Sequence, residues 1–283
     1  MNLQSSIEQI TGKRPKTVSR LHGGMVGEVY AITLPDGEKL VAKVDPGGKA
    51  MLEREGYMLR YLREHSNLPV PDVVHSDEHL LLMTFIDGNS SFGAAAQEHA
   101  AELLADLHNH TAPQFGLERD TLIGPIHQPN NRMDTWTDFF REKRLLYMAD
   151  VMLGRGALPG NVRKQIERLA ERLDEFIVEP DAPSLVHGDM WTTNVLAQNG
   201  RITGFIDPAI YYGHAEIELA DSTLFGTFGE AFFRRYTEIR PLADGFFEVR
   251  RDLYNLYPLL VHVRLFGGGY LSSVKRILSK LGV

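Results

Sequence analysis

The sequence of 283 residues contains no cysteine. That excludes a disulfide scaffold, a cysteine-ligated zinc or iron–sulfur centre and a thiol nucleophile. No apolar run approaches the ~18 residues that a membrane-spanning helix needs. The longest runs, such as Leu80–Met83, have the size of buried strands. Positive charge is in short supply: 30 Lys and Arg face 37 Asp and Glu, a net charge of −7. A protein with that balance is poorly suited to nucleic acid, whose binding runs on basic surfaces. Repeats and low-complexity tracts are missing, and Met1–Lys16 shows no basic-then-apolar leader pattern. These absences lead to the expectation of a soluble, cytoplasmic chain with neither nucleic-acid nor membrane partners. With 43% apolar and 24% charged residues, the composition is that of an ordinary globular core. The length allows one large domain or two modest ones.

The first third reads mainly as strand. Val29–Leu34 and Lys39–Val44 flank Pro35-Asp36-Gly37, a turn signal that predicts a hairpin. Val73–His75 and His79–Phe85 predict a second. Between the hairpins, Leu52, Leu59 and Leu62 share one face of a helix over about 50–65, which Leu68-Pro69-Val70-Pro71 ends. At Ile86-Asp87-Gly88-Asn89-Ser90-Ser91 the composition turns small and polar, as in a linker. Helical periodicity dominates beyond it, over 94–109, 136–153, 162–176, 215–225, 229–239, 246–266 and 271–281. The expected fold is therefore α+β and two-lobed. Residues 1–86 form a small, mainly antiparallel lobe with one helix, and residues 87–283 form a larger helical lobe.

Three strand-like runs interrupt the helical part: Ser184–His187, Val195–Ala197 and Ile202–Ile206. The last two are joined by Asn199-Gly200, a strong hairpin dipeptide. Within this interruption lies His187-Gly188-Asp189-Met190-Trp191-Thr192-Thr193-Asn194. Asp and Asn stand five positions apart, with His two before Asp, as in a protein-kinase catalytic loop. The hairpin then ends in Ile206-Asp207-Pro208, where a kinase carries its metal-binding aspartate. Phosphoryl transfer requires this set: one carboxylate to take the acceptor's proton, and an amide oxygen and a second carboxylate to hold Mg²⁺ on the triphosphate of ATP. Alone, the loop is also compatible with an ordinary turn, but the upstream sequence supplies the remaining parts in order. Gly23, Gly24 and Gly27 lie between the first strands, where backbone N–H groups can approach phosphates. Lys43 sits among apolar neighbours in Val41-Ala42-Lys43-Val44. Glu55, unlike Glu53, falls on the inward face of the following helix, where a buried carboxylate needs a partner.

The residues between these anchors narrow the comparison. The stretches are Leu103–His108 with Pro113–Leu117, Ile123–Asn130, Trp136–Arg144, Asp207–His214 and Leu265–Gly268. Together with the glycine in His187-Gly188-Asp189, they resemble the fructosamine (ketosamine) kinase family, within the aminoglycoside-phosphotransferase-like group. The resemblance implies ATP- and Mg²⁺-dependent phosphorylation of a sugar hydroxyl, at the third carbon, in ketosamines such as ribulosamine or fructosamine, which destabilises the adduct and serves protein deglycation. It implies Asp189 as catalytic base, Asn194 and Asp207 as metal ligands, and Lys43 with Glu55 as the phosphate-positioning pair. Met83, Phe85 and Ile86 would form the hinge against which adenine stacks. Trp191, Tyr211 and His214 are candidates for substrate contact, each with packing as its plainer alternative. His108 and His110, two apart at a helix end, read as capping or surface residues rather than metal ligands. The sequence departs from the family pattern at Met190, Thr192, Thr193, Ala215 and Glu218, and has Met25 where many members carry cysteine. Two other activities fit the same residues: a kinase of another hydroxyl compound (aminoglycoside, choline or sugar), and a pseudokinase that only binds a partner.

Overall fold

The computed structural model describes residues 2–21, 27–48 and 51–283. Gly23 and Gly24 lie outside them. The chain opens with a helix that the polar N-terminal sequence does not announce, α1 (Leu3–Thr11), capped by the Asn2 side chain and stopped at Gly12 in the left-handed region. Next come strands β1 (Thr17–Leu21), β2 (Glu28–Thr33) and β3 (Lys39–Val44), helix α2 (Leu52–His65), and strands β4 (Val73–Ser76) and β5 (Leu80–Thr84). The five strands form one antiparallel sheet in the order β1-β2-β3-β5-β4. The helix α1 explains why Leu80–Met83 is continuously apolar. Leu80 and Leu82 join Leu40, Ala42 and Val44 in a cluster closed by Ile7 of α1. Leu81 and Met83 point the other way, into the main core with Leu52, Leu59 and Leu62 of α2. The sheet is covered on both faces where β5 runs between β3 and β4, so alternation in that strand disappears. In β3 alternation survives, and it turns Val41 and Lys43 away from α1.

The remainder is mainly helical: α3 (Ala94–Leu107), a short hairpin β6 (Thr121–Ile123) and β7 (Ile126–Gln128), α4 (Trp136–Phe139), α5 (Tyr147–Leu153) and α6 (Gly160–Ala170). The segment Phe140–Leu146, between α4 and α5, is a π-helix, so 136–153 is one helical run with a wider middle. Strand β8 (Ser184–Val186), the hairpin β9 (Val195–Gln198) and β10 (Arg201–Phe205), and β11 (Tyr211–Gly213) follow. Helices α7 (Ala215–Leu224), α8 (Glu230–Ile239), α9 (Arg251–Phe266) and α10 (Leu271–Lys280) end the chain. Asn199 and Gly200 both have positive φ, as the two-residue turn of β9–β10 requires. The segment 86–91 is not a free linker. Asn89 exchanges two backbone hydrogen bonds with Ala197 of β9, at 2.9 and 2.8 Å, and the Ser90 hydroxyl donates to the Val195 carbonyl.

Candidate active site

Two antiparallel pairings converge at one end. β8 pairs with β11 from Val186↔Tyr211, and β9 pairs with β10 from Val195↔Phe205. The residues just outside both ladders are His187–Asn194 and Ile206–Ile210. They are stitched together by Ile206 N–H to the Asn194 carbonyl (2.9 Å) and Ala209 N–H to the His187 carbonyl (2.7 Å). Between these two bonds Asp207 is held at a φ of +55°, an uncommon conformation for a non-glycine residue that its surroundings must enforce. The Asn194 amide donates to the Asp189 carbonyl (3.0 Å) and to Asp189 Oδ2 (2.9 Å), leaving its own oxygen as an acceptor. From the sheet above, Lys43 Nζ meets Glu55 Oε1 and Asp207 Oδ1, each at 2.6 Å. Glu53 instead lies at the surface near Arg119. A cleft of about 420 Å³ runs between sheet and helical lobe, and Lys43, Glu55, Asp189, Asn194 and Asp207 all line it.

Met83, Phe85 and Ile86 line the same cleft, with Leu21, Val29, Val41, Leu196 and Ile206 completing an apolar slot. Gly27 has a φ of +69°, and a Cβ there would stand 2.6 Å from the Val44 carbonyl. Trp191 also reaches the cleft, its ring edge-on to Phe225 and His262 at 5.8 and 6.0 Å between centroids. Two expected contact residues do not reach it. Tyr211 is 1% exposed. Its ring lies 3.9 Å from the Arg144 guanidinium and stacks on Phe139, so it belongs to the core beneath the site. His214 is hydrogen-bonded to the Tyr254 hydroxyl (2.8 Å) and packs edge-on to Trp136, away from the cleft lining. Burial, reinforced by the Arg250 guanidinium, pushes its pKa down to about 3.

Three residues that the sequence does not single out as functional hold the loop. Glu218 Oε1 accepts the Gly188 N–H (2.8 Å), and Asp221 Oδ2 accepts the Met190 N–H (2.7 Å). The N–H groups of the residues on either side of Asp189 are thus gripped by carboxylates one turn apart on α7. His108, fully buried rather than at the surface, donates from Nε2 to Glu218 Oε2 (2.8 Å) and shares a hydrogen bond with Tyr236 (2.7 Å). The only local signal was three acids, Glu216, Glu218 and Asp221, within an otherwise uncharged helix. The electrostatics follow from this crowding. Burial raises the Asp189 carboxyl well above the usual range, and the charges of Asp221 and Asp207 add to it. Burial lifts Asp221 to about 7. Burial alone would lower Lys43, but Asp207 and Glu55 outweigh it and keep it an ammonium.

Gly188 shows how tight the loop is. Its φ is +84°, and a Cβ would fall 2.2 Å from the Ala209 carbonyl oxygen. Gly188→Ala is expected to displace the Asp189 peptide and cost about 2–3 kcal/mol of stability, within the range of strained backbone positions. Urea unfolding of the variant measures this; a loss under 0.5 kcal/mol, taken as ~the noise of a surface substitution, would contradict it.

A small antiparallel lobe, a helical lobe and an Asp–Asn–Asp cluster facing a Lys–Glu pair define a protein-kinase-like phosphotransferase. A crystal structure of an aminoglycoside phosphotransferase with ADP and hygromycin B shares this fold, at a TM-score of 0.70 with 18% identity over 100% of both chains. A Thermobifida fusca protein assigned as a fructosamine-3-kinase superposes at a TM-score of 0.88, with 31% identity over 99% of this chain and 98% of that one. Among curated sequences, the chloroplastic protein-ribulosamine 3-kinase of Arabidopsis thaliana is 35% identical over 82% of this chain and 72% of its own. A Vibrio parahaemolyticus protein assigned as a ketoamine kinase is 33% identical over 93% and 91%. The family model described as fructosamine kinase matches residues 1–282. The chain belongs to the fructosamine kinase family, and it is a phosphotransferase acting on a hydroxyl group. Among the described residues, no helix is long and apolar enough to cross a membrane.

Proposed function

We propose that this protein uses ATP and Mg²⁺ to phosphorylate the third-carbon hydroxyl of a ketosamine, ribulosamine or fructosamine, in the service of protein deglycation. The observation that carries the reading is the meeting of Asp189, Asn194 and Asp207 with the Lys43–Glu55 pair in one cleft. In this reading residues 1–86 hold the nucleotide and residues 87–283 supply the catalytic and acceptor groups. The slot between Val29, Val41, Met83, Phe85, Ile86, Leu196 and Ile206 suits a flat apolar base. Gly23, Gly24 and Gly27 would offer N–H groups to the phosphates.

The donor set fits Mg²⁺. Among the described residues no donor reaches the Asn194 amide oxygen, and Asp207 offers a carboxylate oxygen beyond the one facing Lys43. Among the described residues no group of three or more acidic or histidine side chains is arranged to hold a metal ion. Mg²⁺ on a nucleotide commonly takes one or two protein oxygens and completes its shell with phosphates and water. When bound, Mg²⁺ supplies charge neutralisation at the phosphate oxygens. Lys43, steadied by Glu55, adds a second positive charge to the same group. Asp189, its neighbours Gly188 and Met190 held through their N–H groups from α7, orients the acceptor hydroxyl and takes its proton as the phosphoryl group leaves the nucleotide. Catalysis then rests on positioning and fixed charge. Trp191, braced by Phe225 and His262, provides an aromatic wall for the sugar or its amine substituent.

The test is ADP release across ribulosamine, erythrulosamine, fructosamine, choline and an aminoglycoside, with free and protein-bound ketosamines. Turnover confined to ketosamines is expected. Activity on choline or the aminoglycoside alone would overturn the substrate assignment, and no nucleotide turnover or binding at all would favour a pseudokinase.

A further inference from the structure

The segment Glu118–Asn130, which contains β6 and β7, touches both halves of the Lys43 constellation. On the upper side it grips α2 on each side of Glu55. The Tyr57 hydroxyl donates to Glu118, the Arg119 guanidinium lies 4.6 Å over the Tyr57 ring, and Arg119 reaches Glu53 at 3.5 Å. On the lower side it holds the chain just after Asp207. Gln128 Nε2 donates to the Ala209 carbonyl (2.9 Å), and the Thr121 hydroxyl donates to the Ile210 carbonyl (3.1 Å).

These lower contacts belong to a buried hydrogen-bonded chain. Gln128 uses its second amide hydrogen on Thr121 Oγ1 (2.8 Å), while its oxygen accepts from the Tyr257 hydroxyl (2.8 Å). Asn130 Nδ2 donates to the same Thr121 oxygen (2.7 Å), and Arg144 fixes the Asn130 oxygen (2.8 Å). Thr121, Gln128, Asn130 and Arg144 are all fully buried. Every polar atom of Gln128 is matched, and Thr121 Oγ1 donates once and accepts twice, its full capacity. Such a network allows one arrangement of its members and penalises any other. The strained φ of Asp207 needs enforcement of this kind.

We propose that Gln128 and Thr121 are positioning residues for Asp207, and that Glu118–Asn130 ties its placement to that of the Glu55 helix. The inference rests on the functional reading above and adds to it the residues that hold the metal-binding carboxylate in place. Gln128→Met keeps the side chain's length but removes its hydrogen bonds. Thr121→Val removes the hydroxyl, and Thr121→Ser restores it.

The decisive measurement is the affinity for a fluorescent ADP analogue, with Mg²⁺ and in EDTA, alongside kcat as a function of Mg²⁺ concentration. For correctly folded variants, judged by circular dichroism and melting, Gln128→Met and Thr121→Val are expected to weaken Mg²⁺-dependent nucleotide binding about 10–100-fold, the usual effect of removing an outer-shell partner. Affinity in EDTA and KM for the ketosamine stay within about threefold, and Thr121→Ser behaves as wild type. An unchanged Mg²⁺ dependence in both variants overturns the inference. So does an equal loss of affinity with and without Mg²⁺, which marks general loosening. Should Gln128→Met fail to fold, the Thr121 pair decides by the same criteria. A wild-type protein whose nucleotide affinity gains nothing from Mg²⁺ overturns the functional reading itself, and this inference with it, before any variant is compared.

Discussion

Asp189→Asn is expected to lower kcat by roughly 10²–10⁴-fold, the range for loss of a general base. The substitution is close to isosteric, and an asparagine oxygen can still accept from Asn194 where Asp189 Oδ2 does now. What disappears is the carboxylate proposed to take the proton. The same change removes a negative charge from a crowded place, since Asp221 and Asp207 both bear on Asp189. Stability is therefore expected to match or exceed that of the wild type. The combination separates a chemical role from a structural one, because a variant crippled by misfolding melts early, whereas this one does not. Single-turnover kinetics with saturating nucleotide and ketosamine, beside a melting curve, provide the check. Near-normal turnover would remove Asp189 from the base role.

Lys43→Met should have the second largest effect, on both activity and stability. Glu55 is buried, and Lys43 is its only ionic partner among the described residues. Removing one member of a buried pair leaves the other charge uncompensated, which costs about 3–5 kcal/mol. Asp207 is partly exposed and loses less. Adding Glu55→Gln to Lys43→Met takes away the stranded charge, so the double variant is expected to recover most of the stability. Activity should not return, because the ammonium proposed to steady the phosphates is still missing. Urea unfolding and ADP release on the single and double variants distinguish the two effects. A single variant as stable as wild type would show that Glu55 is relieved by some other means.

Much of this site was legible before any coordinates, and the reasons are physical. The alternation of β3 and the helical period of α2 place Lys43 and Glu55 on facing surfaces, so choosing Glu55 over Glu53 needed only the positions of Leu52, Leu59 and Leu62. The Asn199-Gly200 turn fixes the β9–β10 hairpin, and with it the distance from Asn194 to Asp207. Other parts carried no periodic signal. Strands β6, β7 and β11 have three residues each, too few for a pattern of period two. Helix α1 buries only Ile7 completely, so its sequence reads as polar. Glu218, Asp221 and His108 act through backbone N–H groups and side chains far away in the chain, a relation that local spacing does not encode. Tyr211 failed as a substrate contact because the sequence shows an aromatic residue near Asp207 but not the Arg144 guanidinium that covers its ring.

The pairing of Asn89 and Ser90 with β9 has a mechanical consequence. Because that part of the connection is bound to the helical lobe, and the Phe85 N–H is bound to the Lys39 carbonyl of β3 (3.1 Å), the joint between lobes shortens to the few residues from Ile86 to Gly88. Ile86 lies in that joint and packs so closely on Gly204 of β10 that a Cβ there would meet its Cδ1 at 2.3 Å. A joint so short, with a side chain seated in the opposing strand, would favour rotation of the lobes about this point over sliding. Displacement in a rotation grows with distance from the axis. A base seated beside Ile86 would hardly feel the lobes open and close, whereas the separation of more distant groups would follow the angle directly. On the proposed reading, nucleotide capture and alignment for transfer would then be separable events, the first tolerant of the angle and the second governed by it.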